Sequence, residues 1–300
     1  MKKNFLVAAM LVSCLYHPQK LANDSLKNVS YGMLSMNINQ SGYSNWAQGG
    51  KTSFQGYLRG EYNFHKQNNR WLTDVRTYAQ VGGYIEKDKN WQAQNDVLNI
   101  EAVQGKHILK NLFFGVSLSY NSAILNTYRE DIYGRKYKTA GFNSIGNMVA
   151  GAGVTYSKNH KFIVKFEPLS FHTRFISDPI YRYTGKEDTA YPRYFMSSEY
   201  HDVAGISAGE KSETSMVGRL NAYYMERMLN NKLNITQRLN VISDYKNSPE
   251  NLNISYRGDV DYYLGKYINV GVTIQADYND KVMSELQFME MVRAGVSYRF

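Results

Sequence analysis

The amino-acid sequence predicts an all-β chain, closed as a transmembrane up-and-down antiparallel β-barrel of about twelve strands. Three observations carry that expectation. Apolar and polar residues alternate with a period of two from Val29 to Phe300, the pattern of strands that show one face to each of two environments. The segments between the alternating runs sort by parity: those after even-numbered runs are short and polar, and those after odd-numbered runs include both long insertions, about 125 to 147 and 177 to 213. Charged residues keep almost entirely to one row of each run, and Glu290 is the main exception.

Composition points the same way. The chain of 300 residues holds 26 Tyr and 13 Phe against 5 Pro and 1 Cys, with 23 Gly spread along its length, a mix of β-formers with few helix signals. A mean hydropathy of -0.49 excludes a bundle of membrane helices, because no stretch beyond the N-terminus approaches the ~18 consecutive apolar residues such a helix needs. It does not exclude a membrane, since a spanning barrel alternates lipid-facing and lumen-facing residues.

The twelve runs follow in order. The first covers 29 to 45; the second, 52 to 64, carries Arg59 and Glu61 on one row; the third, 71 to 86, carries Asp74 and Arg76. The fourth, 93 to 105, carries Glu101, and the fifth, 111 to 124, sets Leu112, Phe114, Val116, Leu118 and Tyr120 against Gly115, Ser117, Ser119 and Asn121. The sixth, 148 to 157, precedes the seventh, 162 to 176, with Lys165 and Glu167, and the eighth, 214 to 228, with Arg219. Arg238 lies on the ninth, 232 to 245; Arg257, Asp259 and Asp261 lie on the tenth, 252 to 264. The eleventh, 268 to 279, sets Val270, Val272 and Ile274 against Thr273 and Asp277, and the twelfth, 286 to 300, carries Arg293. Each run is long enough to cross, since a tilted strand needs only ~9 to 11 residues.

A charge facing lipid costs up to several kcal/mol near the midplane, so the charged rows are expected to face a lumen. Both signs are present, and opposite charges on neighbouring strands attract where like charges repel. Folding each run about its connection places Arg238 opposite Asp259, Arg76 opposite Glu101, and Arg59 and Glu61 against Arg76 and Asp74. The expected candidate site is therefore a lumen charge network of Arg59, Glu61, Asp74, Arg76, Glu101, Arg238, Arg257, Asp259, Asp261 and Arg293. Twelve strands spaced ~4.8 Å apart and tilted roughly 40° close at about 12 Å radius, which leaves a narrow opening or none once side chains fill it.

The short connections collect cations: Lys66, Arg70, Lys106, Lys110, Lys158, Lys161, Arg227, Lys232 and Lys266 lie in or beside them, against Glu226. They read as solvated strand stops or as contacts with phospholipid head groups, so outer-membrane lipids are an expected partner. The formal charge of +9 falls to +6 without residues 1 to 22, which hold three lysines and no acid. No basic face interleaved with aromatics collects that surplus, so nucleic acid is not expected.

The N-terminal stretch has a positive start at Lys2 and Lys3 and an apolar segment from Phe5 to Leu15, the pattern of an export signal over 1 to 22, with a single barrel domain over 23 to 300. Leu11-Val12-Ser13-Cys14 matches a bacterial lipobox, which makes Cys14 a candidate lipidation site; otherwise Cys14 is a residue of a discarded signal. The rest of the chain has no Cys, so no disulfide framework or thiolate metal site is expected. At the other end Val296, Tyr298 and Phe300 continue one apolar row to the last residue. A terminal strand ending in an aromatic is similar to the element by which outer-membrane barrels are presented to barrel-assembly machinery.

Catalytic motifs are absent: the sequence holds no P-loop, GxGxxG, HExxH, GxSxG or CxxC. A barrel lipase would place a His beside a Ser on a strand, and only His172 near Ser170 offers that; an ordinary polar residue near a strand end is the simpler reading. Asp259 and Asp261 share a row, as paired acids must, but Arg238 and Arg257 beside them point to ion pairing. No cofactor is expected.

One stretch adds a resemblance. Asn45-Trp46-x-x-Gly49-Gly50, Pro168 within "FEPLS", Tyr245-x-x-x-Pro249-x-Asn251 and Tyr278-Asn279-Asp280 resemble an uncharacterised family of Bacteroidota outer-membrane proteins, a domain of unknown function, over about Tyr43 to Asp280. The resemblance implies the barrel, the outer membrane as compartment and a cleaved signal rather than a lipidated Cys14. It assigns no reaction. The expected function is a narrow channel for an unidentified small solute, not an enzyme. The alternatives are a structural or surface-interaction barrel with a salt-bridge-filled lumen and, further off, a lipase-type enzyme.

Overall fold

The structure is a computed structural model, and it describes residues 28–44, 53–84, 92–93, 96–130, 136–183, 195–197, 205–245, 252–279 and 283–300. The signal segment, Cys14, the Asn-Trp and Gly-Gly pairs at 45–50, Pro249, Asn251 and Asp280 lie outside the described residues.

Twelve strands form the barrel: β1 (Asn28–Ser44), β2 (Ser53–Gln67), β3 (Trp71–Tyr84), β4 (Val97–Leu109), β5 (Leu112–Ser122), β6 (Ser144–Asn159), β7 (Phe162–Ile176), β8 (Ser212–Met228), β9 (Leu233–Asp244), β10 (Leu252–Leu264), β11 (Ile268–Asn279) and β12 (Met283–Arg299). Each pairs antiparallel with its sequence neighbours, and β12 returns to β1 from Met33 opposite Arg299 to Ser44 opposite Phe288, so the ring is closed. Two backbone hydrogen bonds between Gly32 and Phe300, 2.7 and 3.0 Å, carry the seam to the last residue.

Connections of two to four residues lie at one end, at 68–70, 110–111, 160–161, 229–232 and 265–267, and the long ones at 123–143 and 177–211 lie at the other. Tight reversals need left-handed backbone, which Gly and Asn supply at least cost. Gly265 (φ 80°) and Asn111 (φ 61°) sit in two of these turns. At the loop end Thr127–Glu130 pairs with Lys136–Ala140 and Tyr181–Tyr183 with Phe195–Ser197, and Ile176, Ile180 and Ile206 bury together against Ile145.

The two faces are inverted relative to a water-soluble domain. Met36, Ile38, Leu58, Val116, Phe166, Phe171 and Val292 are exposed on the outside, while Ser35, Asn37, Asn39, Ser41, Arg59, Asp259 and Arg293 are buried inside. No helix among the described residues is long and apolar enough to cross a membrane. A closed barrel with every edge paired and an apolar exterior satisfies its backbone in lipid by itself, and with short turns on one side and long loops on the other it is the architecture of an integral outer-membrane protein.

Three sequence expectations shift. The β4–β5 connection shrinks to Lys110 and Asn111, because the alternation through "GKHIL" continues the strand. Residues 144–147 also join β6, so the loop begins and ends earlier than the pattern suggested. The inward rows are not polar throughout: Leu72, Val103 and Phe113 form an apolar cluster inside the short-turn end, and Tyr57, Met289 and Met291 form another toward the loop end.

Candidate functional site in the barrel lumen

Strand pairing decides which charges meet. The β9–β10 register sets Arg238 opposite Arg257 and Thr236 opposite Asp259, two residues from the expected pairing. The β2–β3 register sets Arg59 opposite Gln80 and Glu61 opposite Tyr78, not opposite Arg76 and Asp74. The physical reason is that β2 runs on to Gln67 before turning, and each residue by which a turn centre moves shifts every partner by two. Arg76 does stand opposite Glu101, although the carboxylate it holds is Asp74, at 2.8 Å.

The side chains nevertheless converge. On the wall made by β10, β11 and β12, Asp259 accepts from Arg257 Nε at 3.0 Å, Arg238 Nη1 at 3.1 Å and Thr273 Oγ1 at 2.7 Å, with Arg293 Nη1 at 3.5 Å. Arg293 in turn binds Asp261 at 2.6 Å and also donates to Thr273. Glu61 is bound by Arg59, whose Nε lies 2.9 Å away, and faces Arg238 at 3.8 Å. The other wall carries a second cluster. Glu101 takes Lys165 and Arg219, the latter at 3.3 Å, and Arg219 also faces Glu167 at 3.6 Å. Asp74 bridges Arg76 and His65 Nδ1, the latter at 2.8 Å.

Aromatic rings join the two walls. Tyr78 has the guanidiniums of Arg257, Arg59 and Arg238 over its ring at 5.1, 5.2 and 5.9 Å, and Arg76 lies 3.4 Å from the centre of Tyr223. Such stacking adds attraction for a cation without placing a further negative charge in the lumen. Sequence reasoning missed Tyr78, Tyr223 and His65. Their signal was available, because Tyr78 has the parity of Asp74 and Arg76, and Tyr223 that of Arg219.

Exposure differs between neighbours in the network, not between the two walls. The side chains of Asp259, Arg293 and Lys165 are 0%, 1% and 2% exposed, whereas Arg238 is 34%, Arg257 20% and Glu101 16% exposed. Water therefore reaches some members of the charge layer and not the partners they hold.

The remaining candidates lie apart from this layer. Ser170 and His172 both face inward past a bulge at Pro168, where the β7–β8 register shifts between Glu167 and Ser170. Ser170 Oγ donates to the Glu167 carbonyl at 3.5 Å, and His172 Nε2 lies 3.2 Å from Asn147 Oδ1, so the contacts of the two run in different directions. Among the described residues no group of three His, Cys, Asp or Glu is placed to hold a metal ion. At the seam, Val296 and Tyr298 are exposed on the outer face, but Phe300 is buried to 7%. Its ring stacks on Tyr298 at 6.0 Å and fills the space above Gly32, where a Cβ would overlap it. It is a packed seam residue, not a freely lipid-facing girdle residue.

Residues 38–128 match a family described as a protein of unknown function (DUF3078). No curated protein matches the sequence. Among solved structures, the chain is similar to the translocator domain of the autotransporter NalP from Neisseria meningitidis, at TM-score 0.39 and 11% identity over 100% of this chain and 95% of that one. An outer membrane channel from Pseudomonas putida F1 matches at 0.38 and 10% identity over 95% and 99%. The outer membrane phospholipase A from Escherichia coli matches at 0.37 and 10% identity over 95% and 95%. Likenesses this distant assign no activity.

Proposed function

We propose that the barrel is a narrow passage for small polar solutes, with its constriction at the layer of Arg238, Arg257, Glu61 and Tyr78. The observation that carries this reading is the partial exposure of Arg238, Arg257 and Glu101 in the middle of a closed barrel, which requires solvent to stand against them from within the lumen. Both signs of charge line the layer, so the reading includes weak ion selectivity. A second reading, a structural barrel with a filled lumen, draws on the dry Asp259–Arg293–Asp261 cluster. Single-channel recording in planar bilayers separates the two: small, stable openings are expected, and silence across a wide voltage range would remove the channel and leave the filled barrel.

The terminal segment with Val296, Tyr298 and Phe300 belongs to the same proposal as the part read by barrel-assembly machinery. The support is that Phe300 completes both the hydrogen bonding and the packing of the seam. No reaction is part of the proposal.

A further inference from the structure

We propose that the short-turn mouth of the lumen is a binding site for a small carboxylate with an apolar body. A cavity of about 120 Å³ opens there, and Arg227, Arg299, Tyr31, Tyr263, Met33 and Met225 stand on its walls. Glu61 and Asp261 also line it, but both are held by arginines, Glu61 by Arg59 and Asp261 by Arg293.

The two guanidiniums at the rim are disposed differently. Arg227 stacks over Tyr31 with its guanidinium carbon 4.8 Å from the ring centre. Its neighbour Glu226 is turned to Lys161, at 2.9 Å, and among the described residues Arg227 pairs with no carboxylate. Arg299 stacks over Tyr263 at 3.8 Å, and its Nη1 donates to the Asn231 carbonyl at 3.3 Å. Arg227, laid on an aromatic face, keeps its edge N–H donors in the plane of the fork, where a carboxylate takes two of them at once, and Arg299 adds a second positive charge at the rim.

The walls select the rest of the ligand. The hydroxyls of Tyr31 and Tyr263 are directed to the thioether sulfurs of Met225 and Met33, at 3.3 and 3.5 Å, so the polar tips of both rings are engaged within the wall, beside the methionine side chains that line the cavity. Such walls favour a flat or branched apolar group over a hydrated one. A solvated inorganic anion would find the charge but lose much of its hydration, whereas a compact organic carboxylate fits both demands. This site does not depend on passage through the barrel, so it stands or falls separately from the channel.

The test is calorimetric titration of the purified full-length barrel with sodium benzoate. Saturable one-site binding is expected, weakened roughly tenfold or more by Arg227→Gln and by Arg299→Gln, the loss of one charge-assisted contact. Lys232→Gln, in the adjoining turn, should bind as the unchanged protein does. Heat-modifiable gel migration reports folding of each variant; if Arg299→Gln does not fold, Arg227→Gln decides. Benzamide binding as tightly as benzoate would show an apolar cleft without carboxylate recognition and overturn the proposal. Phosphate binding as tightly as benzoate overturns it too, as does the absence of saturable benzoate binding up to about 10 mM.

Discussion

Two regions of the lumen, the buried cluster of Asp259, Asp261 and Arg293 and the partly exposed side chains of Arg238, Arg257 and Glu101, use the same residue types to different ends. Around Asp259 on the β10–β12 side, three arginines and a threonine enclose one carboxylate that no water reaches. Arg238, one of those arginines, and Glu101 across the lumen are paired at similar distances, but their own side chains remain partly wet. The difference teaches that pairing alone does not identify a structural salt bridge. What a charge costs when its partner is removed depends on whether water can replace the partner. The dry cluster behaves as a staple and the partly wet side chains as an adjustable lining.

The largest effect is expected in the dry cluster. Asp259→Ala removes the shared acceptor of Arg257, Arg238 and Thr273 and leaves Arg293 with the carboxylate of Asp261 and the hydroxyl of Thr273. Breaking a buried pair by deleting one side costs about 3–5 kcal/mol because the remaining charge stays desolvated. The temperature at which the folded gel band converts to the unfolded one should drop clearly, and Asp259→Asn should recover part of the loss. A change below about 1 kcal/mol would move Asp259 into the wet class and erase the distinction.

Glu101 sits on the boundary, so Glu101→Gln sharpens where the boundary runs. Its carboxylate is 16% exposed, but its partner Lys165 is only 2% exposed. Removing the charge leaves Lys165 near Glu167 and strips Arg219 of its nearer acid. An intermediate loss of about 1–3 kcal/mol is expected, the cost of a buried charged group losing one hydrogen-bonded partner, read in the same gel assay. A loss as large as that of Asp259→Ala would extend the dry region across the barrel.

How far this contrast was legible in the sequence depends on the scale of the question. The period of two fixes which residues face inward, so all fourteen charged positions of the polar rows could be assigned a side without coordinates. Pairing was less legible, because a turn centre misplaced by two residues between Arg59 and Arg76 moves partners by four. Wetness was not legible at all. Asp259 and Arg257 are neighbours on one row, yet their side chains are 0% and 20% exposed. That difference is set by Thr273 and Arg293 on β11 and β12, which close over Asp259 from the neighbouring strands. The motif residues show the same limit. Tyr245 and Pro168 are separated by 77 positions and give no sign of contact in the sequence. In the barrel the Tyr245 hydroxyl donates to the Pro168 carbonyl at 2.8 Å, across the bulge that Pro168 makes.

The smallest stability change is expected at Arg238, and there the contrast becomes functional. Arg238→Ala deletes a side chain that is 34% exposed and whose two acids keep other partners: Glu61 retains Arg59, and Asp259 retains Arg257 and Arg293. A partly solvated, redundantly paired ion is worth at most about 1 kcal/mol. The folded gel band should therefore convert at nearly the unchanged temperature. Conductance should respond in the opposite way, because the guanidinium that projects between Tyr78 and Tyr223, 5.9 and 5.8 Å from their ring centres, is gone from the proposed constriction. Unitary current is expected to rise several-fold, with a shift toward cation preference from the lost positive charge. If Arg238→Ala instead destabilises the barrel as strongly as Asp259→Ala and leaves the current unchanged, both regions are staples, and the solvent against Arg238 stands in a closed pocket instead of a path.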